Sequence, residues 1–371
     1  MNVNYLILNS NFIKKKNKGG QMSHAEGVFN GLKKNGVSVK LFGHTDLKNF
    51  VDETIVLNKP RIDLFDIYFS YKVVKLALRN TADYFLIRKS FSGIILFIIS
   101  FKFKLIGKKT PPIIWEVNNF SNINNKLFFS EAINNLTFKL NVYVLKKSKL
   151  IYVVTNALKE KLIKHSIIFK EKTIVIPNGG PEFKGILDKS NKIIFLYFGV
   201  FKPYNNFNRI IRVFKELSSE YNEVELNFIG YGEEEKLILE NSKENIKINF
   251  LGSKTLDEIK SLSLLNHKVI GIIPMEDDLS SFRSPIKMFE YISLGCPVIV
   301  SNKVPIEKNY NKDIVREYDL TDQSLKETMS YFISDKPNWE KIFNDCKSIS
   351  ANNSWDIRML TLIKKINEFK K

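Results

Sequence analysis

Three observations predict an α/β chain of two Rossmann-like, doubly wound domains. Short apolar runs alternate with segments of helical period along the whole sequence. The alternation starts afresh after the turn cluster Pro177-Asn178-Gly179-Gly180-Pro181, again as strand, glycine and helix. The length of 371 residues suits two or three domains at roughly 150 residues each. With 44% hydrophobic and 12% aromatic residues there is enough apolar material for both cores, which excludes a disordered or fibrous chain.

The first domain is expected over residues 1–180. Val3–Leu8 reads as a strand, followed by a Lys-rich loop and Gly19-Gly20. Ser23–Lys34 places Ala25, Val28, Phe29 and Leu32 on one helical face, and Asn35-Gly36 stops the helix. Val37–Phe42 is the next strand, completing the opening unit of a doubly wound sheet. Further strands are expected at Asp83–Ile87, Pro112–Val117, Leu150–Val154 and Thr173–Ile176. The second domain, 181–354, begins with the strand Ile193–Phe198, ending at Gly199, and the helix Arg209–Leu217. Strands follow at Val224–Gly230, Ile246–Leu251, Val269–Ile273 and Pro297–Ser301. An amphipathic helix from about Asp356 to Phe369 closes the chain, and residues 355–371 are expected to pack back on the first domain.

Charge is divided between the halves. Residues 1–190 hold 31 Lys and Arg against 13 Asp and Glu, whereas residues 191–371 hold 26 against 26. The whole net charge of +18 therefore lies in the first half, which suggests two domains with different partners. No zinc finger, aromatic RNA-binding motif or recognition helix accompanies the basic half, so no nucleic-acid partner is expected. Two cysteines, Cys296 and Cys346, make a disulfide framework unlikely and fit reduced, cytoplasmic surroundings. The N-terminus lacks a basic n-region, and Tyr5–Leu8 is too short for a signal peptide. The longest apolar run, 91–101, is about half the ~20 residues of a spanning helix. Arg88, Lys89, Lys102, Lys104, Lys108 and Lys109 flank it, so it reads either as a buried helix or as one lying on an anionic membrane surface.

The most informative stretch is Ser284-Pro-Ile-Lys-Met-Phe-Glu-Tyr-Ile-Ser-Leu-Gly-Cys-Pro-Val-Ile-Val-Ser301. Ser284 suits an N-cap, Pro285 a first helical position and Gly295 a helix end. Lys287 and Glu290 are three residues apart and share a face near the helix start. A helix N-terminus offers free N–H groups and a positive dipole end, and Lys287 adds a full charge. Glu290 offers a carboxylate that accepts two hydrogen bonds, as a vicinal diol donates them. A diphosphate beside a ribose matches this arrangement, while a surface Lys–Glu pair is the plainer alternative.

This spacing resembles the nucleotide-sugar site of retaining GT-B glycosyltransferases of family 4, the glycosyl transferases group 1. An ordered series of weaker segments adds to it. Gly19-Gly20 with His24-Ala-Glu-Gly-Val-Phe-Asn-Gly-Leu is similar to the family's first glycine loop and helix. Trp115-Glu-Val-Asn118, Lys147–Thr155 and Lys172–Gly179 resemble later parts of its N-terminal domain. Phe195–Gly199, Phe228–Gly232 and Leu251-Gly252 resemble parts of its C-terminal domain. The resemblance implies a GT-B fold, two Rossmann-like α/β/α domains facing each other across a cleft. It implies metal-independent transfer of a sugar from a nucleoside-diphosphate sugar, UDP favoured over GDP, to an acceptor hydroxyl with retention, a phosphate oxygen taking the proton. No cofactor is expected besides this donor substrate.

By the same resemblance Glu290 holds the donor ribose. Lys287 and the backbone of Ser284, Pro285 and Ile286 face the diphosphate and sugar. Gly19, Gly20 and Gly199 let backbone approach the donor. The catalytic candidates are Lys287, Lys202 and His24. The basic first domain suits a glycan or lipid-linked acceptor and an anionic membrane surface, as in bacterial surface polysaccharide or glycolipid assembly on the inner face of the plasma membrane. Three departures stand out. The family's first glutamate position holds Phe282, leaving Glu276, Asp277 and Asp278 as other carboxylate sources or as a solvated loop. Val200 stands at the usual arginine and Asn205 near the usual lysine, with Lys202 the nearby cation. Asn118-Asn119 stands where a histidine is common, leaving His24 and His44 as candidates by location. A non-catalytic nucleotide-sugar-binding subunit is the alternative reading.

Overall fold

The computed structural model describes residues 1–7, 20–44, 54–57, 66–88, 110–118, 138–139, 142–143, 145–187, 190–306 and 310–368. The first domain comprises β1 (Asn2–Ile7), α1 (Gly20–Lys34), β2 (Ser38–His44), β3 (Thr54–Leu57), α2 (Asp66–Ala77), β4 (Tyr84–Arg88), β5 (Ile113–Val117), β6 (Leu150–Val153), α3 (Asn156–His165), α4 (Phe169–Lys172) and β7 (Thr173–Val175). Its seven strands are parallel in the order β3-β2-β1-β4-β5-β6-β7. β1 explains the pattern: Val3, Tyr5 and Ile7 enter one core layer and Leu6 the other, because helices cover both faces of the sheet.

The second domain comprises β8 (Ser190–Phe201), α5 (Phe207–Glu220), β9 (Val224–Gly232), α6 (Glu235–Glu244), β10 (Ile248–Phe250), α7 (Leu256–Lys260), β11 (His267–Ile273), α8 (Ile286–Ser293), β12 (Val298–Ser301), β13 (Val315–Tyr318), α9 (Asp322–Ile333) and α10 (Trp339–Asn352). Its six parallel strands run β10-β9-β8-β11-β12-β13. α5 buries Phe207, Ile210, Ile211, Phe214 and Leu217, an apolar stripe at helical spacing. Two Rossmann-like sheets thus stand in one chain, as the alternation of elements predicts.

Several boundaries differ from the sequence reading. β8 does not end at Gly199; its pairing with β9 continues through Gly199↔Gly230 and Val200↔Tyr231 to Phe201↔Gly232. Glycines on both strands permit this: a Cβ on Gly230 would lie 1.8 Å from Gly199 O. α1 starts at Gly20 rather than Ser23, so Gly20 is helical and not part of a loop. Gly19, the Lys14–Lys16 run, the apolar run 91–101 and Lys102, Lys104, Lys108 and Lys109 lie outside the described residues. Among the described residues no helix is long and apolar enough to cross a membrane.

The last helix, α11 (Trp355–Glu368), lies against α1. Trp355, Met359, Leu362 and Ile366 join Ala25, Val28, Phe29 and Leu32 in the first domain's core. Two glycines one turn apart in α1 make the approach possible. A Cβ on Gly27 would lie 2.2 Å from Trp355 Cε2, and one on Gly31 would lie 2.6 Å from Trp355 O. The chain crosses between domains twice, side by side: Gly180 N donates to Asn353 O (2.9 Å) and Trp355 N to Gly180 O (3.2 Å). Gly27→Ala should lower stability by about 1–3 kcal/mol through overpacking, outweighing the ~1 kcal/mol of helix propensity gained. Urea unfolding measures this, and a stabilised variant would contradict the packing.

Candidate active site

The site is built around α8. Its helix starts at Ile286, with Pro285 at the N-cap position, so Ser284 is not the cap. The Ser284 hydroxyl instead accepts a hydrogen bond from Asn178 N (3.1 Å), and its carbonyl accepts one from Asn178 Nδ2. The interdomain turn has taken up the groups a cap would use. At the other end Gly295, at φ +71°, ends the helix as expected. Tyr291 pins α8 to the sheet: its hydroxyl donates to Leu196 O (2.8 Å) and accepts from Phe198 N (3.0 Å). A Cβ on Gly271 would lie within 2.4 Å of the Tyr291 ring, so the strand beneath must be bare there.

Lys287 and Glu290 do not pair with each other. Lys287 Nζ donates to Tyr197 OH (2.7 Å) and lies 4.1 Å from the centre of that ring. Tyr197 OH also accepts from Asn205 Nδ2 (3.0 Å) and donates to Val200 O (2.8 Å), which fills its capacity. Asn205 therefore supports Lys287 indirectly. Gly199 serves the same end: at φ +132°, a Cβ there would meet Lys287 Nζ at 2.4 Å. Burial pushes Lys287 down to about 7, against the pull of Glu290.

Glu290 is 8% exposed, and no described group is hydrogen-bonded to its carboxyl. Burial pushes it up to about 7, opposed by Lys287 and Lys260. It lines an interdomain cleft of about 440 Å³ together with Ser23, Thr255, Leu256, Ile286 and Trp355. Gly20 reaches the same region, since a Cβ on it would stand 3.9 Å from Ile286 Cδ1. That is an ordinary contact, so packing alone does not require glycine there. Of the predicted donor residues, Ile286 and Glu290 line this cleft, with Gly20 beside Ile286, whereas Lys287 turns to Tyr197 over Gly199.

The other two catalytic candidates have neighbours of their own in the structure. Lys202 follows the end of the extended β8 and pairs with Glu233; both are well exposed, and no described contact joins Lys202 to Lys287. His24 is 3% exposed, and of its ring nitrogens Nδ1 is hydrogen-bonded while Nε2 is not. Nδ1 lies 2.7 Å from Asn178 Oδ1, and Nε2 lies 2.7 Å from Glu116 Oε1. The side chain of His44 lies outside the described residues.

The acidic segment after β11 is solvated only at Asp278, which is 95% exposed, whereas Glu276 and Asp277 are largely enclosed. Glu276 accepts from Arg209 Nη1 (2.5 Å), Asn206 Nδ2 (2.8 Å) and Tyr318 OH (3.0 Å). Asp277 forms a fork with Arg283 at 3.0 Å on both arms, and Asp278 pairs with Lys303 at 3.1 Å. Glu276 and Asp277 are thus committed to partners within their own domain. Phe282, at the family's first glutamate position, packs against the first domain's core, with Lys161 Nζ 4.7 Å from its ring. An apolar contact between domains replaces a carboxylate.

Two Rossmann-like domains around a cleft, with a lysine and an unpartnered carboxyl on the helix that enters it, define the chain as a GT-B protein. Residues 181–350, a little under half of the chain, match the family model for glycosyl transferases group 1. The apo form of the lipopolysaccharide outer core galactosyltransferase WaaB is similar at 12% identity, covering 99% of each chain with a TM-score of 0.66. The catalytic domain of Starch Synthase IV from Arabidopsis thaliana, bound to ADP and acarbose, is similar at 11% identity, covering 99% of each chain with a TM-score of 0.69. The pneumococcal O-GlcNAc transferase GtfA, in complex with UDP and GlcNAc, is similar at 12% identity, covering 99% of each chain with a TM-score of 0.67. No curated protein matches the sequence. At these identities the likeness concerns the fold.

Proposed function

We propose that the chain transfers a sugar, with retention, from a nucleoside-diphosphate sugar to a hydroxyl of a glycan or lipid-linked acceptor. The observation that carries this reading is Glu290, a nearly buried carboxyl without a partner at the cleft, one turn from Lys287. Ribose hydroxyls supply the donors that Glu290 lacks. Lys287 and the free N–H groups of α8 stabilise the departing diphosphate, a task that calls for no metal. A phosphate oxygen takes the acceptor's proton on the same face. UDP bound to GtfA and ADP bound to Starch Synthase IV support a nucleoside-diphosphate donor; UDP is the favoured one.

The acceptor meets the first domain, whose excess positive charge suits an anionic membrane face in surface polysaccharide or glycolipid assembly. Lys102, Lys104, Lys108 and Lys109 supply part of that charge, so their neutralisation should release the protein from anionic vesicles.

The donor assignment is tested by thermal unfolding with UDP, GDP and ADP, on wild type and Glu290→Ala. At 100 times its dissociation constant a ligand stabilises by ~2.7 kcal/mol. Stabilisation by one nucleotide, lost in the variant, is expected; no response to any of the three in wild type contradicts the site. Phe282 in place of a glutamate favours a second reading, a non-catalytic nucleotide-sugar-binding subunit, which turnover by wild type excludes.

A further inference from the structure

One buried polar cluster is not used by the donor site as described above. Glu116 is wholly buried in β5, among Ile114, Trp115 and Val117. A buried carboxylate is costly unless charges and hydrogen bonds reach it. Here they come from three other elements. Tyr5 OH of β1 donates to Oε2 at 3.0 Å, Arg88 Nε of β4 lies 3.4 Å from Oε1, and His24 Nε2 of α1 lies 2.7 Å from Oε1. Asn118 Nδ2 adds a further hydrogen bond.

The cluster does not stop at His24. The Trp355 ring stands edge-on at 5.0 Å, and Asn178 Oδ1 faces Nδ1. Asn178 is itself fixed, because its Nδ2 and backbone N–H both donate to Ser284. Ser284 precedes the first residue of α8 by two positions. Glu116, His24, Asn178 and Ser284 thus form a continuous line from the middle of the first sheet to the start of the helix that carries Lys287 and Glu290.

We propose that His24 and Asn178 are positioning residues of the donor site. They register the N-terminus of α8 against the first domain's sheet, and so set where Lys287 and Glu290 meet a nucleoside diphosphate. This rests on the reading of the cleft as a nucleotide-sugar site. Neither residue touches the donor; each acts through Ser284 and the first turn of α8.

The test is a titration of wild type, His24→Ala, Asn178→Ala and the double variant with whichever of UDP, GDP and ADP binds wild type, alongside unfolding of each protein without nucleotide. Each single variant is expected to weaken affinity at least tenfold. Because the two side chains act in one line, the double variant should lose little more than either single one. A structural role alone lowers the unfolding midpoint but leaves the affinity of folded protein within twofold of wild type, which overturns the proposal. If Asn178→Ala does not fold, Ser284→Ala removes only the hydroxyl that accepts from Asn178 N. It should weaken binding about threefold, and wild-type affinity there overturns the proposal equally. A wild type that binds no nucleoside diphosphate overturns the donor reading and this inference together.

Discussion

Lys287→Ala lowers turnover by ~10²-fold or more while the protein stays folded. Removing one preorganised donor to developing negative charge typically costs that much, and neither neighbour just beyond β8 supplies a substitute: Asn205 is neutral, and Lys202 pairs with Glu233. Lys287→Met separates charge from packing. Methionine retains the apolar stem over Gly199 and beside Tyr197, so it should restore stability but not turnover. Wild-type rates in both variants would remove Lys287 from the mechanism.

The pH dependence follows from the same residues. Lys287, pushed down to about 7, is cationic below that value, so diphosphate affinity should fall as pH rises through it. Glu290, pushed up to about 7, loses its charge below that value, so its hold on ribose hydroxyls should fall as pH drops through it. Calorimetric titration should therefore give affinity peaking near neutrality, with limbs that belong to the pair and not to either residue. A flat profile contradicts both assignments.

Glu116→Ala costs about 3–5 kcal/mol of stability, because it leaves the Arg88 guanidinium without its counter-charge in the core. Against a total of ~5–15 kcal/mol, that is a large fraction. The acid limb has a definite sign. His24 and Arg88 outweigh burial and hold the Glu116 carboxyl at about 2, below the ordinary 4.5. A depressed acid stabilises the folded state above its unfolded value and loses that contribution as pH falls. Wild type should therefore weaken between pH 4.5 and about 2. Glu116→Gln, which cannot titrate, should lack that part of the slope in urea unfolding, and an identical slope would contradict the network.

Much of this was legible along the chain. The short, buried run of β1 and the helical stripes of α1 and α5 are local patterns, visible in sequence because a strand covered on both faces stays apolar and side-chain direction on a helix repeats every 3.6 residues. Lys287 and Glu290 were legible for the same reason, since three residues on a helix keep a shared face. The carboxylate inside the apolar run Ile113–Val117 was a readable sign of a buried cluster, although its partners were not.

By itself, then, the sequence determined the two α/β domains, eleven of the thirteen described strands and the lysine–glutamate helix, whereas β3 and β13 came only with the structure. Only the tertiary structure decided that Lys287 turns to Tyr197, ninety positions away, that His24 is enclosed between Glu116 and Asn178, and that Phe282 packs against the first domain's core. It also decided that β8 passes Gly199, because pairing with β9 extends the strand beyond its own pattern. Periodicity is a property of neighbours in sequence. A buried polar group is satisfied by whatever the fold brings within 3 Å, and only the packing of distant segments settles which groups those are.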